Sequence, residues 1–354
     1  MMIRLKRLDA LLLAAFFLTS AAILSIQFMR EKRRPHEKDG KPAVERQMVE
    51  QETRRAVGER GAVSRTQKLM KEMKEDPELA KRLQFVSIWF LMLAVCSIFC
   101  LVLFIVRIWK GRPLNPRPGL PPVPLWKLSD IGRLVLIVLA AGQSALLFEW
   151  ALIRSFKLEW MDRNMVALLN TLLADLIAFG GGVYWLRKIS PSVTRGRLWP
   201  AVRFGMASYF AFLPLFIVLT AMVVNAMQAF KIEPEPQAAL TMLLSERRAA
   251  VIWWLSLLVA VGGPVAEEFF FRGLCYTWLR SRIGVWGGLF LSAAVFATLH
   301  GNLLAFLPIL ALGVLFGWVY EQTGTLAAPI AMHVFHNTGM LIVASVLKDA
   351  AVSW

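Results

Sequence analysis

Long apolar runs alternate with short polar connectors along this chain, at intervals set by membrane thickness. A hydrocarbon core about 30 Å thick needs roughly 20 apolar residues in helix. Runs of that order occupy 85–106, 134–153, 165–186, 204–228, 249–279, 285–304, 306–320 and 326–347, with an earlier one at 10–29. Only helices and closed barrels satisfy their backbone inside lipid, and runs this long are helical. The pattern therefore predicts an all-α fold, a polytopic transmembrane helical bundle with eight core spans plus one N-terminal hydrophobic segment.

The connectors divide the chain into four regions. Residues 1–29 form a signal anchor behind Arg4, Lys6 and Arg7, or a cleaved signal peptide with Ala21 and Ala22 near its end. Residues 30–82 are a charged soluble segment, in which Asp76-Pro77-Glu78 marks the start of a short helix. Residues 83–248 supply accessory transmembrane helices, and 249–347 form the core that carries the chemistry. A proline-rich connector at 113–124 reads as extended and surface-bound. Trp109, Trp126, Trp185, Trp199 and Trp278, near span ends, fit an interfacial aromatic belt.

Composition agrees with the pattern. Of 354 residues, 57% are hydrophobic and 18% charged, against about a quarter charged in soluble domains. The formal charge of +16 suggests nucleic acid until its placement is considered. The bases lie in the first 82 residues and in short loops, where retained cytoplasmic connectors and anionic headgroups place them. Membrane lipids are the expected partners, and nucleic acid is not. Connectors 107–133 and 187–203 are strongly basic, so they are assigned to the cytoplasmic side, with the N-terminus inside and 30–82 outside. The expected location is a cell (inner or plasma) membrane. Of the three cysteines, Cys96 and Cys100 share one helix face and read as packing residues, and Cys275 is isolated. No zinc knuckle or disulfide framework is indicated.

A charged group in a spanning helix costs a few kcal/mol on insertion scales, so each one demands a reason. Glu267, Glu268, Arg272, His300 and His333 all fall in the last third. Glu268 and Arg272 are four apart with the acid first, the favourable order for an intrahelical ion pair. Glu267 points about 100° away around the helix, free to face a cavity as a reactive carboxylate. His333 and Asn337 share a face and bring hydrogen-bond donors. Counting from a turn near 281–283, Glu267 and His300 lie about 15 and 18 residues away, or roughly 22 and 27 Å at 1.5 Å per residue. Antiparallel neighbours thus present them at similar depth. His333 lies roughly 15 Å past the next turn by the same rise. Pro264, just before Glu267, is expected to kink that helix and admit water.

A carboxylate and a histidine sharing one water can drive it onto an amide carbonyl. Neutral donors from His333 and Asn337 would then hold the developing oxyanion. Pairing with another helix is the expected role of Glu149 and Asp175, with substrate contact as the other reading.

These residues resemble the CPBP family of intramembrane proteases, also called the Abi family, which includes the type II CAAX prenyl endopeptidases. Its motifs are Glu-Glu-x-x-x-Arg, Phe-x-x-x-His and His-x-x-x-Asn or Asp. They occur here in order as Glu267-Glu268 with Arg272, Phe296 with His300, and His333 with Asn337. The resemblance covers about residues 250–345. It implies that Glu267 and His300 activate water, that His333 and Asn337 form the oxyanion hole, and that Glu268, Arg272 and Phe296 support them. It implies no required cofactor. Some accounts of the family use zinc instead, and its ligands here would be Glu267, His300 and His333. His336, beside His333, is a competing imidazole. A protein or peptide substrate follows, either prenylated or a leader peptide. A proton-coupled transporter and a catalytically silent immunity or binding protein of the same fold are the rival readings. The first lacks a second copy of the Glu-Glu segment in the other half of the chain.

Overall fold

The computed structural model describes residues 77–115, 120–156, 162–187, 198–230, 238–301 and 303–351. The first apolar run and residues 30–76 lie outside the described residues. Among those described, every regular element is helical. The order is α1 Pro77–Trp109, α2 Leu128–Phe156, α3 Arg163–Arg187, α4 Leu198–Ala229, α5 Ala238–Ser245 and α6 Ala249–Leu257. A π-helical turn, Leu258–Gly262, leads into α7 Gly263–Glu267. A second, Glu268–Tyr276, leads into α8 Thr277–Leu299, then α9 Leu303–Thr323 and α10 Ala327–Ala351. Two compact units emerge: the larger holds residues 92–345, and the smaller holds the described residues 77–91 and 346–351.

Among the described residues, seven helical stretches are long and apolar enough to cross a membrane. The longest, Ala249–Leu299, is folded in two at Gly284, whose φ of 77° and ψ of 178° no helix tolerates. The reversal shows in the packing. A Cβ on Gly288 would lie 2.9 Å from the Arg280 backbone nitrogen, although eight residues of straight helix span about 12 Å. Counted on either side of Gly284, the described spans number eight. The protein is an integral, multi-pass membrane protein, and its outer faces carry the apolar side chains lipid demands. Phe99, Phe148, Met222, Trp286 and Phe290 are all exposed.

Four expectations need correction. The helix predicted to begin at Asp76-Pro77 is not short, because α1 starts at Pro77 and runs unbroken through the first described span. No glycine or further proline interrupts it. In the 113–124 connector, the described residues 113–115 and 120–124 are irregular but pinned: Asn115 donates to the Gln322 carbonyl at 2.7 Å, and the Leu120 backbone packs on Gly324. Trp126 belongs to the core, 4% exposed, its indole N–H donating to the Leu274 carbonyl at 3.1 Å. A tryptophan with a buried acceptor in reach gains more there than at an interface. Cys96 is exposed rather than packed. Trp109 and Trp199 are exposed near span ends as expected.

The centre is a layer of α4, α9 and α10, where Phe204, Tyr209, Phe316, Val319, Ala328 and Met332 interdigitate. At the Gly284 end, Glu321 accepts Tyr276 Oη and Arg280 Nε at 2.7 Å each, and Arg280 Nη2 at 2.8 Å. This network fastens the hairpin to α9.

Candidate active site

The site grows from a defect in one helix. Within the first π turn, Gly263 N–H bonds the Leu258 carbonyl, five residues back. The next bond in that register would run from residue 264 to the Val259 carbonyl. Pro264 has no N–H to give, so the Val259 carbonyl is left over. Asn337, on α10, donates its Nδ2 to it at 2.9 Å. The expected kink at Pro264 is thus a π widening, a feature common at functional sites.

One residue past α7 begins the buried ion pair. Glu268 and Arg272 are 0% and 1% exposed, with Nη1 to Oε1 at 2.8 Å. Arg272 also donates Nη2 to the Gly313 carbonyl at 3.2 Å, and its guanidinium stacks over Phe296 and Phe316. Gly313 makes this approach possible, since a Cβ there would come within 2.9 Å of Ala293 Cβ. A charge pair this deep is tolerable only with its remaining donors satisfied.

His333 Nδ1 lies 2.8 Å from the same Glu268 oxygen. With Glu268 paired to Arg272, the shared hydrogen belongs to the imidazole, and Nε2 of the neutral ring carries a lone pair. That nitrogen faces Glu267 Oε2 at 3.7 Å. The neutral donor expected at His333 is therefore spent on Glu268, and only the doubly protonated ring donates from Nε2. Glu267, with a side chain 32% exposed, is the carboxylate of the pair that can meet water.

His300 caps the end of α8 rather than lying within a helix. Its backbone N–H bonds Ala297 and that of Gly301 bonds Thr298, so the Phe296 carbonyl loses its helical partner. The His300 side chain takes it, Nδ1 to oxygen at 2.8 Å. A carbonyl only accepts, so Nδ1 carries a hydrogen, and in the neutral ring Nε2 is the nitrogen with a lone pair. The Phe296 ring touches both histidines, at 4.7 Å from His300 and 5.9 Å from His333.

The structure thus brings Glu267, Glu268, Arg272 and His333 into one contact group, with Phe296 against both imidazoles and Asn337 anchored to the same widened turn. No hydrogen bond or ion pair among the described residues joins His300 to Glu267. His336 faces elsewhere: its Nδ1 meets Tyr209 Oη at 3.0 Å. Glu149 is paired with Asn170 at 2.8 Å. Asp175 is not so paired, for its Oδ2 is buried without a partner. Among the described residues, no group of three or more His, Cys, Asp or Glu side chains is placed to hold a metal ion. Glu267, His300 and His333 are not gathered as a three-ligand group there. The Tyr276–Arg280–Glu321 network is not legible in the sequence because Glu321 lies 45 and 41 residues from its partners and end-of-span charges are unremarkable there.

Comparison with known proteins locates the likeness in this segment. Residues 249–339 match the family model of the type II CAAX prenyl endopeptidases, Rce1-like. The uncharacterized protein YpbD of Bacillus subtilis (strain 168) is 35% identical over 95 residues, which are 26% of this chain and 44% of that protein. The likeness therefore spans less than half of that relative's length. No solved structure matches. The segment 249–339, which holds the π-widened turn, the buried ion pair and both histidine contacts, is thus the part of the chain that is similar to the Rce1-like type II CAAX prenyl endopeptidases.

Proposed function

We propose that this protein is an intramembrane endopeptidase of the CAAX-processing type, acting on a membrane-delivered protein or peptide. The observation that carries this reading is the division of labour between adjacent acids. Glu268 is committed to Arg272 and His333, while Glu267 stays partly exposed beside His333 Nε2.

Glu267, with Nε2 of His300 as second base, takes a proton from water as its oxygen bonds the scissile carbonyl carbon. The carbonyl electron pair moves onto oxygen. Asn337 Nδ2 has a second hydrogen to offer there, and His333 offers one from Nε2 when doubly protonated. As the C–N bond breaks, the proton held by the bases passes to the leaving nitrogen. Residues 249–347 form the protease core and 83–248 accessory spans. Prenylated chain ends and leader peptides are the substrate classes, and a cell membrane is the site of action.

The test compares peptides released from membranes of cells carrying the wild-type protein, Glu267→Ala or His300→Ala. Each variant is expected to abolish release of the same peptides while accumulating normally in membranes. Full release by either variant refutes this mechanism. Absence of any wild-type-dependent peptide favours the silent binding protein instead.

A further inference from the structure

Asp175 on α3 lies outside the three motifs, yet its carboxylate reaches the widened turn. A Cβ placed on Gly263 would find three nearest neighbours, all oxygens. They are the Leu258 carbonyl at 3.5 Å, Asp175 Oδ2 at 3.7 Å and Glu267 Oε1 at 3.8 Å. Glycine leaves this hollow open. Asp175 Oδ2 is buried and receives no hydrogen bond, and Oε2 of the fully buried Glu268 is in the same condition. Only four buried side-chain polar atoms among the described residues lack a partner, and these two are on or beside the site. Buried acceptors are nearly always satisfied, by ordered water where no protein donor is in reach. Two carboxylate oxygens that converge over one glycine can share a small molecule that donates two hydrogens.

We propose that Asp175 is a positioning residue that holds the attacking water over Gly263, accepting the hydrogen that stays on the water while Glu267, with His300 as second base, takes the other. This rests on the peptidase reading and gives it a fourth helix. Two carboxylates fix the direction of both O–H bonds, so a lone pair of the water is aimed away from them. A water held by Glu267 alone is free to swing, and misplacement of about 1 Å is enough to lose about 10²-fold in rate.

The test uses full-length protein in membranes, with Asp175→Asn and Gly263→Ala beside Glu267→Ala. Alanine at 263 meets its neighbours at ordinary contact distances, so it fills the hollow without forcing the helices apart. Two readouts are taken: the initial rate of release of Glu267-dependent peptides, and the thermal midpoint of the purified protein. Both variants are expected to slow release about 10²-fold with midpoints unchanged or raised, since Asp175→Asn removes an unpartnered carboxylate. Release within twofold of wild type in both, with Glu267→Ala still inactive, overturns the role of Asp175 and leaves the peptidase reading intact. Slow release with lowered midpoints in both makes Asp175 structural and overturns the proposal too. If no released peptide depends on Glu267, the peptidase reading itself falls.

Discussion

Glu268 accepts the Nδ1 hydrogen of His333 at 2.8 Å, and this contact fixes which edge of the imidazole faces Glu267. His336, three residues on, is held by Tyr209 instead. The two histidines therefore separate by experiment. His333→Gln is expected to lose peptide release at least 10²-fold, the scale of one lost transition-state donor. His336→Gln, with Tyr209→Phe as its partner change, is expected to keep release within a few-fold. A reversed pattern in the membrane peptide assay would transfer the site to His336.

The buried ion pair leads to a stability prediction. Removing one partner of such a pair leaves the other charge uncompensated, at about 3–5 kcal/mol. Arg272 also supplies the donor to the Gly313 carbonyl and a stacked surface for Phe296. Arg272→Ala is thus expected to lower accumulation in membranes sharply, and Arg272→Lys to lower it in part, because lysine lacks the planar fork. Wild-type amounts and an unchanged thermal midpoint for Arg272→Ala would show the pair to be dispensable.

What the residues reveal by themselves is local. The Glu268–Arg272 pair follows from a four-residue spacing, and the hairpin near 281–283 from span lengths, with Gly284 as its turn. The eight apolar runs reappear as helices because hydropathy over 20 residues is a strong signal. Nothing local reveals that Asn337 replaces the hydrogen bond Pro264 cannot make, since the two lie in different helices. Asp175 and Trp126 depart from expectation for a related reason. Hydropathy shows that a polar or amphipathic residue sits in a span, but only packing decides what it meets.

Outside the membrane, Arg248 bridges Asp162 and Glu246, at 2.8 and 2.7 Å. Hydrogen bonds from Arg248 hold both carboxyls below their ordinary range. A carboxyl depressed in the folded state stabilises fully above its unfolded value, and that contribution fades as pH falls through the folded value. The thermal midpoint is therefore expected to be flat above about pH 5 and to fall below the ordinary carboxylate range near pH 4. Arg248→Gln should lower the midpoint at pH 7 and remove part of the acid slope. Asp162 and Arg248 are about half exposed, so solvent screens that limb, and Glu246, almost fully buried, carries most of the effect. Parallel curves for both proteins from pH 3 to 7 would rule the cluster out as the titrating element.

Gly284 joins the helices that carry Glu267 and His300, so strain placed there tests whether the hairpin sets the site. Its φ of 77° with extended ψ belongs to a region that only glycine adopts freely. No heavy atom lies within 4 Å of where its Cβ would be, so a substitution acts through the backbone alone. Gly284→Ala is expected to destabilise by about 1–3 kcal/mol, read as a lower thermal midpoint. Because the Glu321 network fastens the same end of the hairpin, Glu321→Gln should add to that loss more than the sum of the separate changes, as neighbours in one network do. Additive losses would mean that the turn and the Tyr276–Arg280–Glu321 contacts hold the hairpin independently. An unchanged midpoint for Gly284→Ala would mean that the reversal tolerates a side chain, and that the depth of Glu267 against His300 is set elsewhere.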